Sequence, residues 1–344
     1  MSLHRILGDS SSNSSSSVCI PEPQSDFTAV AIAGTWTLHH IFTAISIIIA
    51  VITIIVSFGT GFLHCINFSN PAEQRQIVRI VNVPAIFAIC AALSISVNHY
   101  QDSFYFTPLG DFYECFGLVA IWYYMLAVLS RHGSLEIPGG DRAAFSKRWF
   151  LVLQIIPERI ITTIASWIIA GTFCRTDKKF TTAFTVINVI NGISTAVCAI
   201  SILRVYKQTK AQLTGNKFVS KLVVLKTAVI LQFIQRIVFS ILIKTNALKA
   251  TSTMSAADAK IGIPNILISG EMFIYCFLFI GPYSWTPYTR KNAPSGVPYK
   301  KMSFARAVLT AWNLSDIVLG IFDVFKGRVG KGENQQQVRF PYSK

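Results

Sequence analysis

The chain is poor in charge and cysteine, and it lacks the short motifs of soluble enzymes. Charged residues make up 14% of 344, where a soluble domain carries about 25%. That shortage excludes an ordinary water-facing surface. No GxSxG, HExxH, P-loop or dinucleotide fingerprint is present, so nothing points to hydrolase, metalloprotease, nucleotide or hydride chemistry. The seven cysteines (Cys19, Cys65, Cys90, Cys115, Cys174, Cys198, Cys276) form no CxxC pair and no Cys/His cluster with zinc spacing. Asp102, Asp111 and Glu114 have no matching histidine or metal-ligand set. No catalysis, metal or cofactor is therefore expected. Acidic residues are also scarce, 16 against 31 lysines and arginines, for a net charge of +15. In a soluble protein that excess suggests nucleic acid. Here the basic residues sit in loops and tail, where they set orientation and meet anionic lipid, so no nucleic-acid partner is expected.

What the chain has is long apolar runs. Hydrophobic residues are 52% of the total. Seven runs approach or exceed the roughly 20 residues that cross a bilayer at about 1.5 Å per helical residue. They cover Trp36–Leu63, Ile77–Val97, Asp111–Ser130, Trp149–Phe173, Thr182–Tyr206, Val219–Ile243 and Gly262–Tyr283. Lipid leaves no partner for an open backbone, so each run is expected to be helical. None alternates as a barrel strand would. The expected fold is an all-α integral membrane protein with seven transmembrane helices and a cytosolic amphipathic helix. Residues 1–35 are expected to be an extracellular or lumenal polar, disordered tail, 36–283 the seven-helix transmembrane domain, and 284–344 a basic cytosolic tail with an amphipathic helix at about 303–326.

Most lysines and arginines fall on the side of the tail and of the loops at Arg75–Arg79, Arg131–Arg148 and Arg204–Lys221. That side is expected to be cytosolic, with the N-terminus outside or lumenal. Either the plasma membrane or an endomembrane fits. The Ser-rich start has no apolar core of a cleavable signal, so the first span is expected to anchor the chain. Asn13-Ser14-Ser15 is a sequon on the outer side. Cys19 and Cys174 share that side and can pair.

Within the spans lie six ionisable residues, Glu114, Glu158, Arg159, Lys226, Arg236 and Glu271. Such groups face a bundle interior or a water-filled cavity. Glu271 is expected near the midplane, neutralising Arg159 or Arg236. Glu114 is expected near the outer end of the third span, and Lys226 near the inner end of the sixth. Gln232, Gln235 and Arg236 share one helical face. Either that face lines a solute path, with Arg236 meeting an anionic head group, or it only holds helices together.

In order along the chain, these residues resemble a known family. Arg75-Gln-Ile-Val-Arg79-Ile with Pro84, Asp111-Phe-Tyr-Glu114, and Leu153-Gln154 with Arg159 match its early spans. Lys221, Lys226 and Gln235 keep the spacing of its K-F-x-x-x-K and W-Q. Gly262-x-x-Asn265, Glu271-Met-Phe and Asn313-Leu-Ser-Asp316-Ile-Val match G-x-x-N, E-M-F and N-P-x-D-I-V. The chain resembles the seven-span family that includes the alpha subunit of the organic solute transporter. It departs at Gly110, Leu222, Ile234, Leu314 and Gly320, and lacks the cysteine cluster after the third span. The resemblance implies facilitative transport of an amphipathic organic or lipid-like solute, without ATP, with a single-span partner subunit or a homo-oligomer. Glu114, Gln154, Arg159, Lys226, Gln232, Gln235, Arg236, Asn265 and Glu271 are then the pathway candidates. A seven-span receptor, a trafficking scaffold and a lipid scramblase are the alternatives. For a heptahelical receptor, Leu129-Ser130-Arg131 replaces the expected Asp-Arg-Tyr, and no Asn-Pro-x-x-Tyr is found.

In the tail, Phe304, Val308, Ala311, Leu314, Val318, Ile321 or Phe322, and Phe325 form one stripe. Arg306, Asn313, Asp316, Gly320 and Asp323 form another. The apolar stripe is expected to rest on the membrane interface or under the bundle, with nearby basic residues toward lipid.

Overall fold

A computed structural model of the chain describes residues 30–97, 102–130, 142–174, 178–213, 217–245, 247–255, 257–292 and 299–326. The leader, its sequon and Cys19 lie outside these residues, as does the chain beyond Lys326. A small hairpin of β1 (Ala31–Ala33) and β2 (Trp36–Thr37) opens the described chain. Everything else that is regular is helical, and the protein is an all-α integral membrane protein. Eight helical segments among the described residues are long and apolar enough to cross a membrane. Seven match the expected spans, and the eighth, Phe304–Val324, reaches that length only when two shorter tail helices are counted as one segment.

The helix α1 (Leu38–Ile66) shows why these sequences pack as they do. Its buried residues are small or polar: Ser46, Ala50, Thr53, Ser57, Thr60, Gly61 and His64. They recur every three or four positions and form one seam. Ile48, Val51, Ile55 and Phe62 on other faces are exposed. In lipid an outward isoleucine loses nothing, while small residues let backbones approach, so the seam turns inward. Ser46 Oγ meets Ser269 Oγ at 2.9 Å across it. Thr53 and Thr60 donate to their own helix, to the carbonyls of Ile49 and Val56, which satisfies both hydroxyls without a partner helix.

The second span is two helices, α2 (Pro71–Val81) and α3 (Val83–Ser96), broken at Asn82 just before Pro84. Proline lacks the N–H and crowds the preceding turn, which explains the break. The third, α4 (Ser103–Ser130), is the hub, with every residue from Glu114 to Leu126 buried. It begins eight residues before the expected start and runs through Pro108. Gly117 lets α3 come close: a Cβ there would sit 2.9 Å from Val83 Cγ2. The fourth span divides at Gln154, three residues before Pro157, into α5 (Arg142–Leu153) and α6 (Ile155–Thr172). The helices α7 (Lys178–Leu213) and α8 (Phe218–Lys244) follow. The last span enters through a π-helical turn at Asp258–Gly262 and continues as α9 (Ile263–Ile280). Cys174, after α6, is disulfide-bonded; the expected partner, Cys19, lies outside the described residues.

The tail corrects the expectation of one continuous helix. It forms α10 (Phe304–Trp312) and α11 (Ser315–Phe325), separated at Asn313. Asn313 Oδ1 accepts the Ser315 N–H at 2.8 Å, which turns the chain out of α10. Its carbonyl accepts from Arg79 Nη2 at 2.6 Å. Asp316 is 0% exposed and accepts from Arg79 Nη2 at 2.7 Å, Arg79 Nη1 at 2.8 Å and Gln76 Nε2 at 2.9 Å. Arg75 Nη1 stands 3.7 Å from the same carboxylate. The Arg75–Arg79 and Asn313–Asp316 motifs, far apart in sequence, thus form one node at the end of the bundle where α1 finishes. Tyr123 OH donates to the Asp316 carbonyl at 3.3 Å. Gly320 makes that approach possible, because a Cβ there would collide with the Tyr123 hydroxyl.

Candidate solute cavity

A cavity of about 300 Å³ lies between α3, α4, α6, α7, α8 and α9, in the half of the bundle nearer the start of α1. Four candidates line it: Gln232, Gln235, Arg236 and Asn265. The face on α8 does point inward, while Phe233, Ile234, Ile237 and Val238 on its other side are exposed. Its polar groups are held in place from neighbouring helices. Gln235 Nε2 donates to the Pro264 carbonyl at 3.2 Å, and its Oε1 has no hydrogen-bond partner among the described residues. Asn265 Nδ2 donates to the Ile261 carbonyl at 3.0 Å. Gln232 Nε2 donates to Glu271 Oε2 at 2.7 Å.

That last contact corrects the expected charge pairing. Glu271 meets Gln232, while Arg236 takes Asp111 in a bidentate pair, Nη1 to Oδ2 at 2.7 Å and Nη2 to Oδ1 at 2.5 Å. Glu114 Oε2 stands 3.8 Å from Arg236 Nη2. The upstream extension of α4 is the cause. Eight extra residues lower Asp111 by about 12 Å along the helix, and Glu114 lies deeper still, by roughly another turn. Neither carboxylate sits at a span end. Arg236 therefore faces the cavity already neutralised.

Arg159 is 2% exposed, behind Thr162 and Thr163, which line the cavity one turn farther along α6. Its Nη2 donates to Thr195 Oγ1 at 2.6 Å and to the Asn191 carbonyl at 3.3 Å. Its Nε and Nη1 have no hydrogen-bond partner among the described residues. Farther toward the basic end, Gln154 Nε2 donates to Ser194 Oγ at 3.3 Å. Beyond the cavity, a file of packed polar side chains on α6, α7 and the α5–α6 break runs toward the basic end. Lys226 is exposed and takes no part in the cavity.

Several lining residues were not among the candidates: Asp111, Thr162, Thr163, Ser166, Asn191 and Lys260. A signal was there to be found. Arg159, Thr162, Thr163 and Ser166 fall at i, i+3, i+4 and i+7 on an isoleucine-rich helix, and Asn188, Asn191, Ser194 and Thr195 share a face of α7. Uncharged polar residues do not announce themselves as arginines do. Most of the remaining wall is apolar, with Phe87, Phe104, Phe184, Phe239, Ile187 and Ile268, interrupted by Ser103, Thr107, Asn188 and Ser240.

This chain matches the family described as organic solute transporter Ostalpha over residues 42–288. It belongs to that family. It is also similar to a Transmembrane protein 184 homolog of Dictyostelium discoideum, 26% identical over 273 residues, 73% of this chain and 52% of the relative. Vacuole membrane protein HFL1 of Saccharomyces cerevisiae is 23% identical over 298 residues, 78% of this chain and 67% of the relative. The chain thus spans about half the length of the first and two thirds of the second. No solved structure shows significant similarity. The family match covers the cavity and its six helices and stops short of α10 and α11.

Proposed function

We propose that this Ostalpha family member is a facilitative membrane transporter, and that an amphipathic organic or lipid-like solute rests in the cavity. The supporting observation is the wall itself. Gln232, Gln235, Arg236 and Asn265 gather with Thr162, Thr163 and Ser166 beside aromatic and aliphatic side chains. Polar groups orient one end of a solute and the apolar wall takes the rest, and about 300 Å³ is the lower end of ligand-pocket size. The polar file through Arg159, Thr195, Ser194 and Gln154 supplies a direction of travel toward the basic end. The charge distribution supports an N-terminus outside or lumenal and a cytosolic tail. Family membership supports a partner subunit in the transport unit, and surrounding lipid is part of its environment.

Proteoliposome flux tests the reading, with a radiolabelled sterol sulfate and a fluorescent lysolipid as probes. Gln235→Leu and Ser166→Leu, each confirmed as folded by size-exclusion chromatography, are expected to reduce flux of at least one probe by tenfold or more. Wild-type flux with both variants would leave a polar seam that only packs helices, and would favour the scaffold reading.

A further inference from the structure

The two tail helices bury Ile317, Ala307 and Ala311 against the bundle and still leave a second, large apolar face uncovered. A cytosolic helix pair in contact with water would turn its apolar side chains to the bundle and its charges outward. Here Asp316 is completely buried against Arg79, and the small residues Ala307, Ala311 and Gly320 face the bundle. Phe304, Leu309, Trp312, Leu314, Val318, Leu319 and Phe322 are exposed, Leu309 at 73%. Sequence periodicity separates Phe304, Leu314, Val318 and Phe322 from Asp316 and Gly320. Only the packed structure shows that the first four face outward and the last two face the bundle.

The exposed face is continuous with the lipid-facing surface of the bundle. Trp312 stacks on Phe58 with ring centroids 6.4 Å apart, and Phe304 meets Phe62 edge-on at 5.2 Å. Phe62 belongs to the exposed side of α1. The helix α10 therefore climbs beside the last turns of α1, while α11 packs on Tyr123 of α4 and near Leu153 of α5. All of these contacts lie toward the end of the bundle where α1 finishes, and helices of nine and eleven residues reach only about 14 and 17 Å. Neither crosses the roughly 30 Å of hydrocarbon. Exposed Lys300, Lys301, Arg306 and Lys326 border the apolar face.

The geometry points to a membrane-docking surface: α10 and α11 lie shallowly in the cytosolic leaflet, the apolar face in the acyl region and the basic rim on anionic head groups. The Asp316–Arg79 node fixes the pair at that depth from the bundle side. Leaflet contact of this kind combines apolar burial with attraction to anionic lipid.

The test uses the full chain in nanodiscs, reading the Trp312 fluorescence component as the difference between wild type and Trp312→Phe. Phosphatidylcholine labelled with a nitroxide at acyl carbon 5 is expected to quench this component strongly. Label at carbon 16, near the bilayer midplane, is expected to quench it weakly, and aqueous iodide hardly at all. Adding phosphatidylserine is expected to increase the shallow quenching, and the triple change Lys300→Gln, Lys301→Gln, Arg306→Gln to abolish that increase. Strong iodide quenching without lipid quenching would overturn the docking. So would dominant quenching from carbon 16, which would make the pair a membrane-deep element. Absence of any quencher effect would mean a protein surface covers the face and would equally refute lipid contact. Equal quenching with and without phosphatidylserine would refute the anionic rim. None of these outcomes depends on whether the cavity carries solute.

Discussion

The pairing of Arg236 with Asp111 can be tested quantitatively. Asp111→Asn keeps shape and polarity but removes the carboxylate that binds both guanidinium nitrogens, at 2.5 and 2.7 Å. Stripping one partner from a buried pair costs about 3–5 kcal/mol. That figure needs reduction here. The Arg236 side chain keeps 36% of its surface open beside the cavity, and Glu114 remains 3.8 Å away as a substitute partner. A loss of about 1–3 kcal/mol is therefore expected for Asp111→Asn, and a similar loss for Arg236→Gln. The double variant should recover part of the sum, with a coupling energy of about 1 kcal/mol or more, because it leaves no unbalanced charge. The assay is reversible unfolding in detergent, followed by tryptophan fluorescence, on the four proteins of the cycle. Glu271→Gln serves as the control partner. With Arg236→Gln it should be additive to within about 0.5 kcal/mol, since Glu271 contacts Gln232 instead. Additive losses for Asp111 and Arg236, or strong coupling of Arg236 to Glu271, would refute the arrangement and restore the pairing that sequence reasoning suggests.

Other outcomes follow from the same geometry. Asp316→Asn removes the carboxylate that Arg79 and Arg75 share, and is expected to destabilise by about 3–5 kcal/mol; a smaller loss for Asp316→Asn combined with Arg79→Gln, measured by the same unfolding assay, confirms the node. Gly320→Val drives a side chain into the Tyr123 hydroxyl, at a cost of about 1–3 kcal/mol, whereas Val318→Ala on the exposed face should lie within about 0.5 kcal/mol of wild type. Ser46→Leu overfills the α1–α9 seam where Ser46 meets Ser269, and should lower the yield of monodisperse protein and the stability by about 1–3 kcal/mol. Lys226→Gln is expected to leave proteoliposome flux unchanged, because Lys226 is exposed and lines no part of the cavity; loss of flux would reinstate it as a pathway residue.

The sequence by itself determined the class of this protein. Apolar runs of transmembrane length leave helix as the only backbone that satisfies itself in lipid, and that constraint acts locally, before any packing. The inward face of α8 was equally legible, since Gln232, Gln235 and Arg236 share a helical side by spacing alone. The second and fourth spans break two and three residues before Pro84 and Pro157, where proline cannot keep the helical ladder. The tertiary structure decided the pairing of charges and the depth of each group. Composition offered three acidic and three basic residues within the spans, a balance compatible with many matchings. Asp111 entered the set only because α4 runs upstream through Pro108, and Glu271 left it because its nearest donor proved to be an amide. Lys226 shows the same limit, its place on the polar helix giving no guarantee of a place in the cavity. Most of all, the fold decided which tail residues turn inward. Periodicity separates Asp316 from Phe322, but the buried arginines of α2, contributed from the far end of the sequence, draw the aspartate inward. Spacing along a chain fixes what shares a face; what that face meets depends on residues brought there only by folding.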